Sequence, residues 1–300
     1  MGRFLQYLFD GLSTGAIYSL LALGLVIVYR GTGHLNFAQG EMAMMSAFFG
    51  WWLSAKHDVP VWLAVVASAA FAFVLGAVVE IVIIRPIGQR SQFAVGVAAI
   101  GLLHGLNALA PFLWKVNVPQ AVGSLFPKKP DDFARIGGAT WRYENIGVLL
   151  TTLAVAGLLY LLFQRTKLGL AMRAVASNPE SAPLAGIKTG QVLMVSWGLA
   201  AAVGAVGGTM VGSLRGNVDP AMMLAIFFSA TAAAMLGGFD SLLGAVVAGL
   251  ALGVIESMAA GYQPDTIGQE LKGSVNLLII LVVLLFRPSG LFGLRRVERV

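Results

Sequence analysis

Only 11% of this 300-residue chain is charged and 58% is hydrophobic, whereas soluble domains carry about 25% charged residues, so a soluble fold is excluded. The net charge of +6 comes from Lys and Arg scattered singly between apolar runs. They form no basic stripe with interleaved aromatics, which argues against nucleic acid as a partner and points to membrane orientation. There is no cysteine, which excludes disulfides and thiolate metal sites.

In chain order, stretches at or near the ~20 apolar residues that cross a hydrocarbon core fall at 11–29, 37–55, 60–84, 93–114, 146–163, 190–213, 222–239, 242–262 and 273–287. The expected fold is all-α: one polytopic membrane domain, 1–300, of about 8–10 transmembrane helices. The first stretch has one early Arg, an Asp10 inside it and no clear cleavage site, so it is expected to be a retained span. The 37 glycines suit helices that pack closely in lipid. The seventh stretch, "AMMLAIFFSATAAAMLGG", is marginal in length, and the turn "GGFDSLLG" couples it to the eighth; the pair fits a broken or re-entrant hairpin as well as two spans.

Sidedness follows from the loops. If 164–190 and the tail 287–300 face the cytoplasm, alternation places 30–36 and 85–92 there too. These regions hold 11 Lys/Arg and, with the 240 turn, three acids, against nine bases and eight acids outside. That is the sign the positive-inside rule requires, and nine crossings put the N-terminus outside. The longest outer stretch, 115–145, reads as a surface loop able to dock an external partner or simply as an ordered connection.

Three acids fall within the spans: Glu41, Glu80 and Glu256. A charge at the bilayer centre costs roughly 2.5 to 3.5 kcal/mol, so each needs a partner. Glu80 lies five residues before Arg85, which suggests pairing near the inner end of the third span. Glu256 sits on the Gly-rich eighth span, with structural and pathway roles both open. In "HLNFAQGEM" (34–42) Asn36 is expected to cap the second helix at the inner boundary, with Glu41 in its first turns near the positive end of the dipole. Asn36, Gln39, Glu41 and Glu256 are thus candidates for lining or gating a path, with a capped, hydrogen-bonded joint the alternative for the first three.

No G-x-x-x-x-G-K-[ST] loop occurs, the three histidines lack metal spacing, and no G-x-S-x-G elbow is present. Catalytic residues, metal ligands and cofactors are therefore not expected in this chain. An ion-driven transporter would need a buried acid relay, for which the sequence offers little.

The loop "GLAMRAVASNPESAPLAGIKTGQV" (169–192) carries helix signals. Ser177 and Glu180 form an S-x-x-E box, or Asn178 caps a helix with Pro179 at its first position. Pro183 and Gly186 stop it after about two turns. A short capped helix in a basic loop, on a chain without a nucleotide site, resembles the coupling element of an ABC permease. Arg173, Ser177, Asn178, Glu180, Ala182 and Gly186 are its candidate residues.

Four blocks in order, "GLSTGAIYSLLALGLVIVYRGTGHLNFAQGEM" (11–42), "LGLAMRAVASNPESAPLAGI" (168–187), "AMLGGFDSLLGAVVAGLALGVIESM" (234–258) and "LLIILVVLLFRPSGLFG" (277–293), strongly resemble the permeases of bacterial branched-chain amino acid ABC importers, the shorter of the two paired permeases. Gln39 stands where that family often has His, and 115–145 follows no family pattern. The resemblance implies an inner-membrane importer of two related permeases, two cytoplasmic ATPase subunits that bind the ATP, and an extracytoplasmic substrate-binding protein. It leaves branched-chain amino acids, urea, short amides and aromatic acids all open as substrates.

Overall fold

The structure is a computed structural model that describes residues 2–88, 91–116, 118–178, 181–262, 278, 281–282, 285 and 290–293. The first eight expected spans are all helical: α1 (Gly2–Thr32), α2 (Gln39–Lys56), α3 (Val61–Val79), α5 (Gln92–Trp114), α6 (Tyr143–Arg165), α8 (Thr189–Arg215), α9 (Leu224–Gly237) and α10 (Leu242–Tyr262). The ninth stretch, 273–287, lies outside the described residues except at isolated positions. Among the described residues, six helical segments are long and apolar enough to cross a membrane.

α1 is the central post. Residues 15 to 28 are all buried, because α10, α8, α9 and α6 pack around it. Small residues make these approaches possible: a Cβ on Gly15 would stand 2.6 Å from the Gly249 carbonyl oxygen, and one on Gly11 would stand 2.6 Å from the Val254 Cα. Without a hydrophobic drive between helices in lipid, such backbone contact is what holds a bundle together.

α3 runs into a π turn (Glu80–Ile84) and a short helix, α4 (Arg85–Gly88). Pro86 has no N–H to give the preceding turn, and the Arg85 N–H reaches back to the Glu80 carbonyl, widening the helix locally. α9 has 14 residues, about 21 Å of rise, which is short of the ~30 Å core. The chain enters it through an irregular segment, 219–223, whose Met222 and Met223 are fully buried. The seventh stretch thus forms a short, uninterrupted helix with an irregular entry, and the eighth, α10, a full-length one.

Two small antiparallel pairs accompany the helices: β1 (Gln120–Ala121) with β4 (Asn217–Val218), and β2 (Phe133–Ile136) with β3 (Ala139–Arg142). The second is a hairpin turning on Gly137 and Gly138, both at positive φ, as a two-residue hairpin turn requires. The 115–145 stretch is therefore an ordered cap. Its hairpin rests on the start of α1, where Gln6 Oε1 accepts from Thr140 N at 2.9 Å and Phe9 stacks on Trp141 at 4.5 Å. The end opposite this cap is called inner below.

Candidate functional site

Asn36, Gln39 and Glu41 build one polar node. Asn36 does not cap α2: Ala38 holds the N-cap position, and no side chain caps the helix. Instead the Asn36 Oδ1 accepts from Ala38 N at 3.0 Å and its carbonyl accepts from Gln39 N at 3.1 Å, an Asx turn that feeds the chain into the helix. Asn36 Nδ2 then donates to Gln39 Oε1 at 3.2 Å, and Gln39 Nε2 donates to the Ala200 carbonyl at 2.7 Å. The Gln39 amide lies in a slot that exists because Gly24 on α1 and Gly204 on α8 have no side chains.

This node lies deeper than the inner boundary expected for it. Ala200 is about 16 Å up α8 from Thr189 at 1.5 Å per residue, so α2 begins well inside the bundle. Glu41, in its first turn, accepts from Asn107 Nδ2 at 3.0 Å, and the same amide donates to the Pro220 carbonyl at 2.8 Å. Phe48 stacks on Trp114 at 5.6 Å; Glu41 with Asn107 and Phe48 with Trp114 are the same step apart, so α2 and α5 run side by side in parallel. Asn107 ties α2, α5 and the irregular entry to α9 together. Sequence reading passed over it, since one Asn in an apolar run carries no spacing signal.

Glu256 is paired elsewhere: Tyr18 Oη donates to its Oε2 at 2.8 Å, joining α10 to α1. All four candidate path residues are at least 93% buried within this one chain. Glu80 and Arg85 pair as expected, at 2.6 Å and 3.0 Å, and Arg85 also donates to the Gly190 carbonyl at 2.7 Å.

The 164–190 loop differs from its expected form. Its helix, α7 (Lys167–Ser177), is 11 residues long and starts at Thr166, whose side chain accepts from Gly169 N. Ser177 ends that helix rather than starting one, because Thr166 supplies the N-cap one turn before an amphipathic run. Gly169 lets α7 fold back against the backbone of Leu162 and Phe163, and Arg173 Nη1 holds Gln164 at 3.0 Å. Asn178 Oδ1 accepts from Ser181 N at 2.9 Å, starting a second turn that leads into a 3-10 turn (Pro183–Ala185). Gly186 ends that turn at φ 78°, the left-handed stop expected of it. Glu180 lies outside the described residues. Ala182 is buried, whereas Leu184, which sequence reading did not single out, is 89% exposed at the tip.

At the inner end a cavity of about 850 Å³ opens between the ends of α1, α3 and α7 and the start of α8, lined by Arg30, His34, Arg85, Asn178 and Asp240 among others. At the opposite end Lys128 Nζ donates to the Ser213 carbonyl at 2.5 Å and the Leu214 carbonyl at 3.1 Å, closing the C-terminus of α8 where carbonyls lack helical partners. Glu144, buried, accepts from Ser124 and Ser213 at 3.0 Å and lies 3.5 Å from Lys128.

A bundle of glycine-packed helices, six of them among the described residues long and apolar enough to cross a membrane, with polar nodes inside it, is the fold of a polytopic membrane protein. The chain belongs to the family described as the permease component of the branched-chain amino acid transport system, whose model matches residues 7–285. It is 30% identical to the high-affinity branched-chain amino acid transport permease BraD of Pseudomonas aeruginosa, over 99% of this chain and 98% of the relative. It is also 30% identical to LivH of Escherichia coli, with the same coverage. A nucleoside ABC transporter permease, NupB of Lactococcus lactis, is 31% identical over 46% of this chain and 38% of its own length. The fold matches a chain of PsaBC from Streptococcus pneumoniae, solved with a Fab, with TM-score 0.51 at 15% identity over 95% and 92% of the two chains. The protein is a multi-pass permease of the bacterial inner membrane.

Proposed function

We propose that the chain is the membrane-spanning permease subunit of an ATP-driven importer of branched-chain or related amino acids, handed over by an extracytoplasmic binding protein. The observation that carries this reading is the full-length similarity to permeases named for that transport. A second permease, related or identical, completes the path, and two separate ATPase subunits supply the work.

The 164–190 loop docks the ATPase. Leu184, exposed in the middle of the 3-10 turn, is the apolar knob, and α7 with Arg173 braces it against α6. Asn36, Gln39 and Glu41 act as a joint at which α1, α2, α5 and α8 meet, and Glu256 fastens α10 to α1. Their role is to set how these helices move together, and so to gate the path.

Reconstitution of the complex in proteoliposomes tests the reading. Leucine uptake that needs internal ATP, the ATPase subunits and binding protein is the expected result. Uptake that persists without the ATPase, or that follows an ion gradient, overturns it. Competition by urea, short amides, aromatic acids and nucleosides distinguishes the substrate classes.

A further inference from the structure

The inner cavity is lined by two charges that, among the described residues, no hydrogen bond or ion pair holds. Arg30, at the end of α1, lies over the Phe163 ring at 5.6 Å, and its guanidinium donates to no described atom. Asp240, in the turn between α9 and α10, lines the same cavity, and no ion pair joins the two. The remaining charges in the wall, Glu80 and Arg85, satisfy each other. Trp197 on α8, 2% exposed, also lines the cavity, and its indole N–H has no acceptor. Buried polar groups are ordinarily paired. A cation, a carboxylate and an N–H left open around one space of about 850 Å³ therefore call for a ligand that carries both signs of charge.

The cavity is not closed toward the membrane. Tyr29, Gly33 and His34 in its wall also line an apolar cleft of about 510 Å³, which continues along Phe93, Gly96, Val97 and Ile100 of α5. Phe93 to Ile100 is about 10 Å at 1.5 Å per residue, most of the ~15 Å of hydrocarbon in one leaflet. A polar chamber at the inner boundary that leads into an apolar channel along a membrane helix has the outline of one phospholipid. A free amino acid meets the two charges equally well but leaves that length of cleft empty. A lipid whose head carries only a phosphate satisfies Arg30 and sets a second negative charge beside Asp240.

We infer that the cavity and the cleft together hold one phospholipid with an amine headgroup, phosphatidylethanolamine in kind. Its phosphate faces Arg30, its ammonium faces Asp240, and one acyl chain lies in the α5 cleft. The test uses the whole transporter in proteoliposomes that contain a trace of phosphatidylethanolamine or phosphatidylglycerol with a diazirine in the acyl chain. After illumination, labelled peptides are mapped by mass spectrometry. The amine lipid is expected to concentrate its label at 93–100, and the glycerol lipid to label that stretch about fivefold less. Both should label the exposed face of α6 around Leu158, 67% exposed, to the same extent.

Arg30→Gln should lower labelling at 93–100 by both lipids about fivefold, whereas Asp240→Asn should lower it for the amine lipid and raise it for the glycerol lipid. A variant that merely distorts the cavity would move both lipids the same way. Gly96→Phe fills the cleft at a position where an added Cβ meets no described atom within 4 Å, and it should abolish the concentrated label with the charges intact. Equal labelling by the two lipids, or labelling indifferent to Arg30→Gln and Gly96→Phe, identifies ordinary surrounding lipid and overturns the site. Loss of the label to millimolar leucine inside the vesicles gives the cavity to a free amino acid instead. A wild-type transporter without label at 93–100 has that cleft covered by protein, which also overturns the inference.

Discussion

The Glu80–Arg85 clasp has two ends of unequal character, and removing them should have unequal effects. The Glu80 side chain is 2% exposed and that of Arg85 34%. Arg85→Ala strips a buried carboxylate of its bidentate partner and frees the Gly190 carbonyl, and a buried charge left unpaired costs about 3–5 kcal/mol. Glu80→Gln keeps an acceptor for the guanidinium, which already reaches solvent and can snorkel, so about 1 kcal/mol is expected. The double variant, with no charge left behind, should recover much of the loss. Apparent melting temperature, read by fluorescence-detected size exclusion in detergent, should fall by roughly 10 °C for Arg85→Ala and by only a few degrees for Glu80→Gln. Equal losses for the two single variants, or a double variant whose losses simply add, would refute this account of the clasp.

Gln39→Ala removes two hydrogen bonds and empties the slot between Gly24 and Gly204; a loss of about 2–4 kcal/mol is expected by the same melting assay. Transport per folded protein should fall as well, since the joint sets how α1, α2, α5 and α8 move together; unchanged transport per folded protein would leave the node a purely structural contact. Leu184→Asp should leave membrane yield and melting unchanged, since the side chain touches little of its own chain, while lowering ATPase stimulation in the reconstituted complex about tenfold; unchanged stimulation would remove Leu184 from the docking surface. Lys128→Met leaves Glu144, 2% exposed, with only the Ser124 and Ser213 hydroxyls, so it should cost about 3 kcal/mol and speed chymotryptic cleavage within 115–145 from the outer face, and cleavage at the wild-type rate would show that the cap is held by other contacts.

The spans were legible because apolar run length is a local property: the first eight stretches meet eight helices within a few residues, α1 apart, which begins nine residues earlier. The depth of α2 was not. Polar residues such as Asn36 and Gln39 look like a membrane boundary in the sequence, and only the fit of Gln39 between Gly24 and Gly204, distant in the chain, draws them into the bundle. The coupling loop was half legible: Asn178, one of its two candidate caps, does cap the turn at Ser181, but Ser177 and Thr166 each carry a helix-start signal. The earlier one prevails because Gly169 allows α7 to lie on α6. The hairpin at Gly137 and Gly138 had a readable turn signal, but it sat in a stretch treated as a loop.

α8 is a single rod of 27 residues, about 40 Å long, and it is held at both ends by other parts of the chain. Its first turn takes the Arg85 bond at Gly190 directly after the 3-10 turn that carries Leu184, and its last turn is bolted by Lys128 to the outer cap. It has no proline along its length to hinge it. A twist applied at the lower end travels along one unbroken helix toward the upper end, as along a shaft whose softest point is the Gly207–Gly208 pair, and the cap must turn with what arrives or let go of Lys128.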